Sequence, residues 1–332
     1  MIKKYMNSKI KSGVYIVAEA GINHNSDIKT AKKMIEVASK CGADAIKFQT
    51  FTPDELFSEL ITPKLYNLSK TWVLTKNDHI ELQKHAKKNK ITFFSTPCGI
   101  KSANLLKKLK VPLIKIASGE ITNLNLIDYI SKMKIPMMIS TGMTSISEIS
   151  KVVEIVQSNK CQFSLLHCVS SYPAKKSDAN LSTISYLQKT FGVPVGFSDH
   201  TLGIDISLAA VALGATIIEK HFTLDKNMEG PDQKLSIDPK ELSELVKKTR
   251  IIEKAMGSYR KTIYHSEKSF RSNMRKSLGT TQDISANTVV KRSMLTSFRP
   301  GIGIPPYHID EFIGRKTKKS IKKGSLLNWD FF

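Results

Sequence analysis

The sequence predicts an α/β fold: a closed (β/α)8 TIM barrel followed by a small β-rich domain. Three observations predict it. Short apolar runs recur along the first 257 residues, helical apolar spacing fills the intervals between them, and nearly every run ends in a polar residue capable of chemistry. Packing gives no reason for polar residues at the ends of buried strands. Barrels of this kind place their reactive groups on the C-terminal strand ends, along one rim.

The eight runs are YIVAEAG (15–21), AIKFQTF (45–51), TFFSTP (92–97), LIKIASGE (113–120), MMISTGM (137–143), FSLLHCVSSYP (163–173), VPVGFSDH (193–200) and ATIIEKHF (215–222). Most intervals between them are about 22 to 30 residues, the length of one βα unit. A doubly wound open sheet is the rival, but it does not need eight regular units.

The helical segments follow in order. Ala31, Met34, Ile35 and Ala38 mark one buried helix face, and Gly42 is placed to end that helix. Asp78 and Glu81 read as a capping box before IELQKHAKKN, and Ser145 and Glu148 as another before Ile149, Val152, Val153 and Val156. Asp238, Pro239 and Glu241 open a helix carrying Leu242, Leu245, Val246 and Thr249. The interval between the second and third runs is longer and predicts an insertion over 52–77.

The pattern stops near residue 257. The expected organisation is a barrel over 1–257, a polar linker over 258–272 and a β-rich domain over 273–332. The last segment carries TTQDISANTVV, SFRPGIGIPP and KSIKKGSLLN, short β-like runs with Gly/Pro turns. It is too small to form a deep site alone, so it is expected to cover or complete one.

Composition narrows the function classes. No stretch approaches the roughly 20 apolar residues of a membrane span, and the basic N-terminal segment has no signal-peptide apolar core. A cytoplasmic location is the expectation. Cys41, Cys98, Cys161 and Cys168 have no metal-ligand spacing and read as buried reduced thiols. The net charge is +22, but the lysines are spread along the whole chain. That distribution suits a solvated surface that attracts small anionic substrates, rather than a nucleic-acid interface.

The strand ends supply Glu19, Lys47, Gln49, Ser95, Thr96, Lys115, Ser118, Glu120, Ser140, Ser170, Tyr172, Ser198, His200 and His221. Lys47 and Lys115 sit inside apolar runs, where a charge must be paired or must face a ligand. With Thr96, Ser118 and Ser198 they form a cradle for phosphate and carboxylate, or else a structural ion pair with Glu19 or Glu120. His200 and His221 close the last two runs, and two neutral imidazoles there suit a divalent transition metal. Glu19 and Glu120 are candidates for proton transfer or for binding hydroxyls. Asp232 enters the same rim from the loop 225–236. His79 and His85 are placed on a helix surface, and His167 in a packing role.

The segments VAEAGINHNS, ADAIKFQTF, FFSTP, KIASGE, STGM, HCVSSYP, GFSDHTLG, EKHFTLDK, GPDQ and RPGIGI resemble the sialic acid synthase family, over roughly residues 13–330. That family includes N-acetylneuraminate and N,N'-diacetyllegionaminate synthases. The resemblance implies a barrel with a C-terminal antifreeze-like (SAF, β-clip) domain. It also implies condensation of phosphoenolpyruvate with an N-acyl-mannosamine-type sugar and water, giving a nine-carbon 2-keto acid and phosphate by C–O cleavage. The metal would be a divalent ion, Mn2+ in preference to Mg2+ or Co2+, held by His200 and His221.

By motif, phosphoenolpyruvate would meet Lys47, Thr96, Lys115, Ser118, Ser140, Ser170 and Ser198, and the sugar Glu19, Gln49, Glu120, Tyr172 and Asp232. Arg299 would reach the site of a second subunit in a domain-swapped homodimer. Two positions depart from the family: Ser170 stands where many members have Asn, and Cys98 where Phe is common. KIASGE and GPDQ resemble the sialic and legionaminic branches more than the pseudaminic one. N-acetylneuraminate synthesis from N-acetylmannosamine is the leading expectation. Diacetyllegionaminate synthesis from 2,4-diacetamido-2,4,6-trideoxymannose is the alternative. A pyruvate-type metal aldolase would have no use for the phosphate cradle.

Overall fold

The computed structural model describes residues 13–258 and 260–332. It divides into two compact units, with the boundary between Gly257 and Ser258.

The first unit is a closed barrel of eight parallel strands in sequence order. The strands are β1 (Tyr15–Gly21), β2 (Ala45–Thr50), β3 (Thr92–Pro97), β4 (Ile114–Ile116), β5 (Met137–Ser140), β6 (Phe163–Cys168), β7 (Val195–Asp199) and β8 (Ile217–His221). Closure is made by β1 against β8, with Glu19 opposite His221. Helices α1 (Ile28–Lys40), α2 (Pro53–Leu56), α3 (Pro63–Ser69), α4 (Lys76–Lys88), α5 (Ile100–Lys108), α6 (Leu124–Lys132), α7 (Ile146–Ser158), α8 (Ser182–Phe191), α9 (Asp205–Ala212) and α10 (Pro239–Met256) fill the intervals. Helices α2 and α3 form the insertion between β2 and α4.

Local chemistry sets the helix starts. Ser145 with Glu148, and Asp238 with Glu241, close capping boxes, the second with Pro239 at the first turn. One expected box is displaced: α4 begins one turn earlier, with Thr75 as N-cap and Asp78 closing the box. His79 shares the buried face of this helix with Leu82 and Ala86, at a spacing of three and seven residues. It is fully buried, not on a helix surface. His85 is half-buried and bonds Glu36 across 3.1 Å. His167 is a packing residue whose Nε2 donates to the Ala179 carbonyl at 2.7 Å. Of the cysteines, Cys98, Cys161 and Cys168 are buried and Cys41 is partly exposed.

Strand periodicity explains the interior. Successive side chains alternate between the helix layer and the barrel axis. Facing the helices, Ile16, Ala18, Ile46, Phe48, Ile116, Ile139, Leu165, Phe197 and Ile218 join α-helical apolar residues in one large core. Toward the axis, Tyr15, Val17, Ala45, Phe94, Leu113, Met138, Leu166 and Ile217 form a separate apolar plug. One step further along the same faces the side chains become Glu19, Lys47, Thr96, Lys115, Ser140, Cys168 and Glu219. The plug therefore forms the floor, and the polar residues sit on top of it.

The second unit contains β9 (Ser277–Thr280) and β10 (Leu295–Phe298) as an antiparallel pair, with isolated bridges from residues 284, 289 and 326 extending the β character. Leu278, Ile284, Val290, Leu295, Ile304, Phe312, Ile321 and Leu327 form its core. The stretch read as a linker holds a short helix, α11 (Lys268–Met274).

Candidate active site

Above the apolar plug lies a cavity of about 320 Å³. Its lining includes thirteen of the residues read from the strand ends and the 225–236 loop: Glu19, Lys47, Gln49, Thr96, Lys115, Ser118, Glu120, Ser140, Tyr172, Ser198, His200, His221 and Asp232. Ser170 does not line it. Its hydroxyl instead converges with that of Ser118 over Gly142, where an added Cβ would lie 2.2 Å and 2.8 Å from the two oxygens. Arg299 lies in the second unit, where its Nε donates to the Met274 carbonyl at 3.0 Å.

The cavity floor is a buried charge cluster. Lys47 Nζ lies 2.7 Å from Glu19 Oε2, 3.1 Å from Thr96 Oγ1 and 3.8 Å from Glu219 Oε2. Lys115 Nζ lies 2.8 Å from Glu219 Oε1, which also accepts from Ser198 Oγ at 2.9 Å. Beside the cradle, the sequence offers Glu19 or Glu120 as structural partners of the lysines. Lys47 does pair with Glu19, but Lys115 pairs with Glu219, and Glu120 contacts neither lysine, accepting instead from Asn123 at 3.0 Å. Glu219 was missed because it sits inside the apolar run ATIIEKHF. It is two residues before His221, so period-two alternation places both on the barrel axis.

Electrostatics separates the two buried glutamates. Burial alone would raise Glu219, but Lys115 and Lys47 outweigh it and hold the carboxyl down at about 2. Glu19 shares only Lys47. For it, burial outweighs the lysine, and repulsion from Glu219 adds to the rise. Burial also disfavours the Lys47 ammonium, but Glu19 and Glu219 reverse this and push it above its ordinary value. The outcome is a charged Glu219 bridging two lysines, and a Glu19 carboxyl raised above its ordinary value beside them. Ser140 Oγ is buried and has no hydrogen-bond partner among the described residues. Two ammonium groups, Thr96, Ser198 and a free Ser140 hydroxyl make a donor-rich floor suited to an anion.

His200 and His221 sit above this floor, ring centroids 5.4 Å apart, with the Tyr172 ring 4.2 Å from His200. His200 Nδ1 lies 2.9 Å from the Val169 carbonyl, which fixes a proton there and makes Nε2 the nitrogen available to a ligand; burial disfavours the charged ring, but Cys168 and that carbonyl outweigh it and raise His200 above its ordinary value. His221 is fully buried, and burial, with His200 next in weight, pushes it well below its ordinary value, so it is neutral. Its Nδ1 has no hydrogen-bond partner among the described residues and lies 3.6 Å from Asp232 Oδ2. These two imidazoles are the donors that could hold a divalent metal. Among the described residues, no three His, Cys, Asp or Glu side chains are grouped to do so, so water or substrate oxygens would complete the shell.

The loop bearing Asp232 is bolted down by buried amides. Asn23 Nδ2 donates to the Phe222 carbonyl and to Ser236 Oγ, each at 2.9 Å, and Gln233 Nε2 donates to the Asn23 carbonyl at 2.9 Å. Burial raises the Asp232 carboxyl, opposed by His200. Leu56 and Cys98 also line the cavity and give it a small apolar wall. Glu55 holds that wall, accepting from Ser102 N at 3.1 Å and Ser102 Oγ at 2.5 Å. Leu56 belongs to the insertion, and nothing in its local sequence marked it as a lining residue.

A barrel with a donor-rich floor beneath a histidine pair defines a class: a barrel enzyme with an anion-binding site on its C-terminal rim. The NeuB family model matches residues 34–261, and the SAF domain model matches residues 275–332. The chain belongs to the NeuB family, which makes it a phosphoenolpyruvate-dependent nonulosonic acid synthase.

Among its relatives, the N,N'-diacetyllegionaminic acid synthase of Campylobacter jejuni is 42% identical, covering 94% of this chain and 98% of that protein. The N-acetylneuraminate-9-phosphate synthase of Mus musculus is 36% identical, covering 94% and 91%. The crystal structure of the N-acetylneuraminic acid (sialic acid) synthetase from Leptospira borgpetersenii, in complex with citrate, is similar at TM-score 0.75 and 41% identity, covering 78% of this chain and 90% of that one.

Proposed function

We propose that this enzyme condenses phosphoenolpyruvate with the open-chain form of an N-acyl-mannosamine-type sugar. C3 of phosphoenolpyruvate bonds to the sugar aldehyde carbon, water adds at C2, and phosphate leaves by C–O cleavage. The observation that carries this reading is the floor itself, with Lys47, Lys115 and the unpartnered Ser140 hydroxyl buried under two imidazoles.

Lys47, Thr96, Lys115, Ser118, Ser140 and Ser198 bind the phosphate and carboxylate of phosphoenolpyruvate, with Ser170 supporting Ser118 over Gly142. Glu219 keeps the two ammonium groups charged and close together while the site is empty of anion. Glu19, pushed up by burial, exchanges a proton with the sugar oxygen as the new bond forms. Gln49, Glu120, Tyr172 and Asp232 orient the sugar hydroxyls and acyl group.

His200 and His221 hold a divalent ion, Mn2+ in preference to Mg2+ or Co2+. When bound, that ion supplies Lewis acidity at the aldehyde. Arg299 completes the site of a partner subunit in a domain-swapped homodimer. Among the described residues no helix is long and apolar enough to cross a membrane, and a cytoplasmic location suits substrates drawn from central metabolism.

N-acetylmannosamine is the first sugar proposed, supported by likeness to the Leptospira structure. The Campylobacter relative, matched over 98% of its length, favours 2,4-diacetamido-2,4,6-trideoxymannose as the second. Phosphate release with Mn2+ and phosphoenolpyruvate tests both sugars, together with the altro isomer. The preferred sugar identifies the product. Phosphate release that needs no sugar would refute the reading.

A further inference from the structure

Directly behind the two imidazoles lies a buried ion pair with no part in the chemistry above. On β7 and β8, Ser198, Glu219 and His221 line the cavity, so alternation turns Asp199 and Lys220 to the opposite face, toward α9. The two are direct register partners, and Lys220 Nζ lies 2.8 Å from Asp199 Oδ2. Each residue is 1% exposed. Asp199 Oδ1 accepts from the Thr201 amide at 2.8 Å, and Oδ2 from Ser207 Oγ of α9 at 2.5 Å. The Lys220 ammonium also donates to the Thr201 carbonyl. The pair therefore grips Thr201, the residue after His200, by both backbone groups, and does so from the residue before His221.

A buried ion pair is a weak way to gain stability, since apolar residues of similar volume commonly do as well or better. It does fix geometry, because the charges and hydrogen bonds are met in only one arrangement. We infer that Asp199 and Lys220 are positioning residues that set the spacing of the His200 and His221 imidazoles for a divalent cation. They act on the backbone, whereas the Val169 carbonyl orients the His200 ring. This inference rests on the metal reading of the histidine pair.

The test measures Mn2+ binding directly, from the electron paramagnetic resonance signal of free Mn2+ titrated with the full-length protein without substrates. The variants are the paired apolar replacement D199L/K220M, which leaves no charge unpaired, the milder Ser207→Ala, and His200→Ala as the ligand control. Circular dichroism verifies folding, and equilibrium dialysis measures phosphoenolpyruvate binding. In the folded pair variant, Mn2+ affinity is expected to fall by roughly 10- to 100-fold, as on loss of groups that orient ligands. In Ser207→Ala it is expected to fall about threefold. Phosphoenolpyruvate binding should stay within about twofold in both, since the charges of the lysine floor are untouched.

Wild-type Mn2+ affinity in the folded pair variant overturns the inference, as does equal loss of Mn2+ and phosphoenolpyruvate binding, which would mark a general structural role. If the pair variant does not fold, Ser207→Ala decides, and unchanged Mn2+ affinity there overturns it. If wild type and His200→Ala bind Mn2+ equally, the metal reading itself fails and this inference fails with it.

Discussion

Replacing Glu219 by glutamine tests the charge balance of the cavity floor. The substitution keeps the shape and the bond from Ser198 but removes the anion shared by Lys115 and Lys47. The Glu219 carboxyl is held from an ordinary 4.5 down to about 2. A depression of that size in a fully buried group corresponds to about 3 kcal/mol at neutral pH. Breaking a buried pair typically costs a similar amount, roughly 3–5 kcal/mol.

The sign follows from the direction. A depressed carboxyl stabilises the fold above the unfolded value near 4.5, and that stabilisation is lost as pH falls toward 2. Thermal melting of wild type and Glu219→Gln from pH 7.5 to pH 3 is the assay. The variant should melt roughly 6–12 °C lower at pH 7.5, the shift about 3 kcal/mol produces in a domain of this size. The gap should hold down to about pH 5 and narrow below it. A gap under about 2 °C, or one independent of pH across this range, would refute the reasoning.

Other substitutions address the remaining parts of the site. Lys115→Ala should raise the KM for phosphoenolpyruvate by roughly 10- to 100-fold, the worth of one charge-assisted hydrogen bond, read from initial rates at saturating sugar. His200→Ala and His221→Ala should each abolish turnover while leaving the circular dichroism spectrum intact. Chelation of wild type should do the same, reversed by added Mn2+. Arg299→Ala should lower activity, and mixing it with a Lys115→Ala chain should restore part of it, because a swapped heterodimer carries one intact site. No recovery on mixing would count against the swap.

Much of this architecture is legible in the sequence because its signals are local. The eight apolar runs fall on the eight strands, and thirteen of the residues read from the strand ends and the loop after β8 line one cavity. The misses have physical reasons. Glu219 and Lys220 are adjacent charges in an apolar run, and only strand parity shows that one faces the cavity and the other the helix layer. His79 was misplaced because it is a polar residue in a lysine-rich segment, yet its spacing of three and seven from Leu82 and Ala86 puts it on the buried face of α4. Leu56 reaches the cavity through the Glu55–Ser102 bonds, a contact between residues 47 apart in sequence that no local pattern records. The hydroxyls of Ser170 and Ser118 both occupy the space a side chain at Gly142 would take, a convergence of three strand ends distant in sequence.

The central claim is that phosphoenolpyruvate loses its phosphate by C–O cleavage after carbon–carbon bond formation. Phosphoenolpyruvate labelled with 18O at the bridging C2 oxygen tests it directly, incubated with enzyme, Mn2+ and each candidate sugar. The label is expected to leave entirely in inorganic phosphate, and only when sugar is present. Label retained at C2 of the product, or released without sugar, would contradict it.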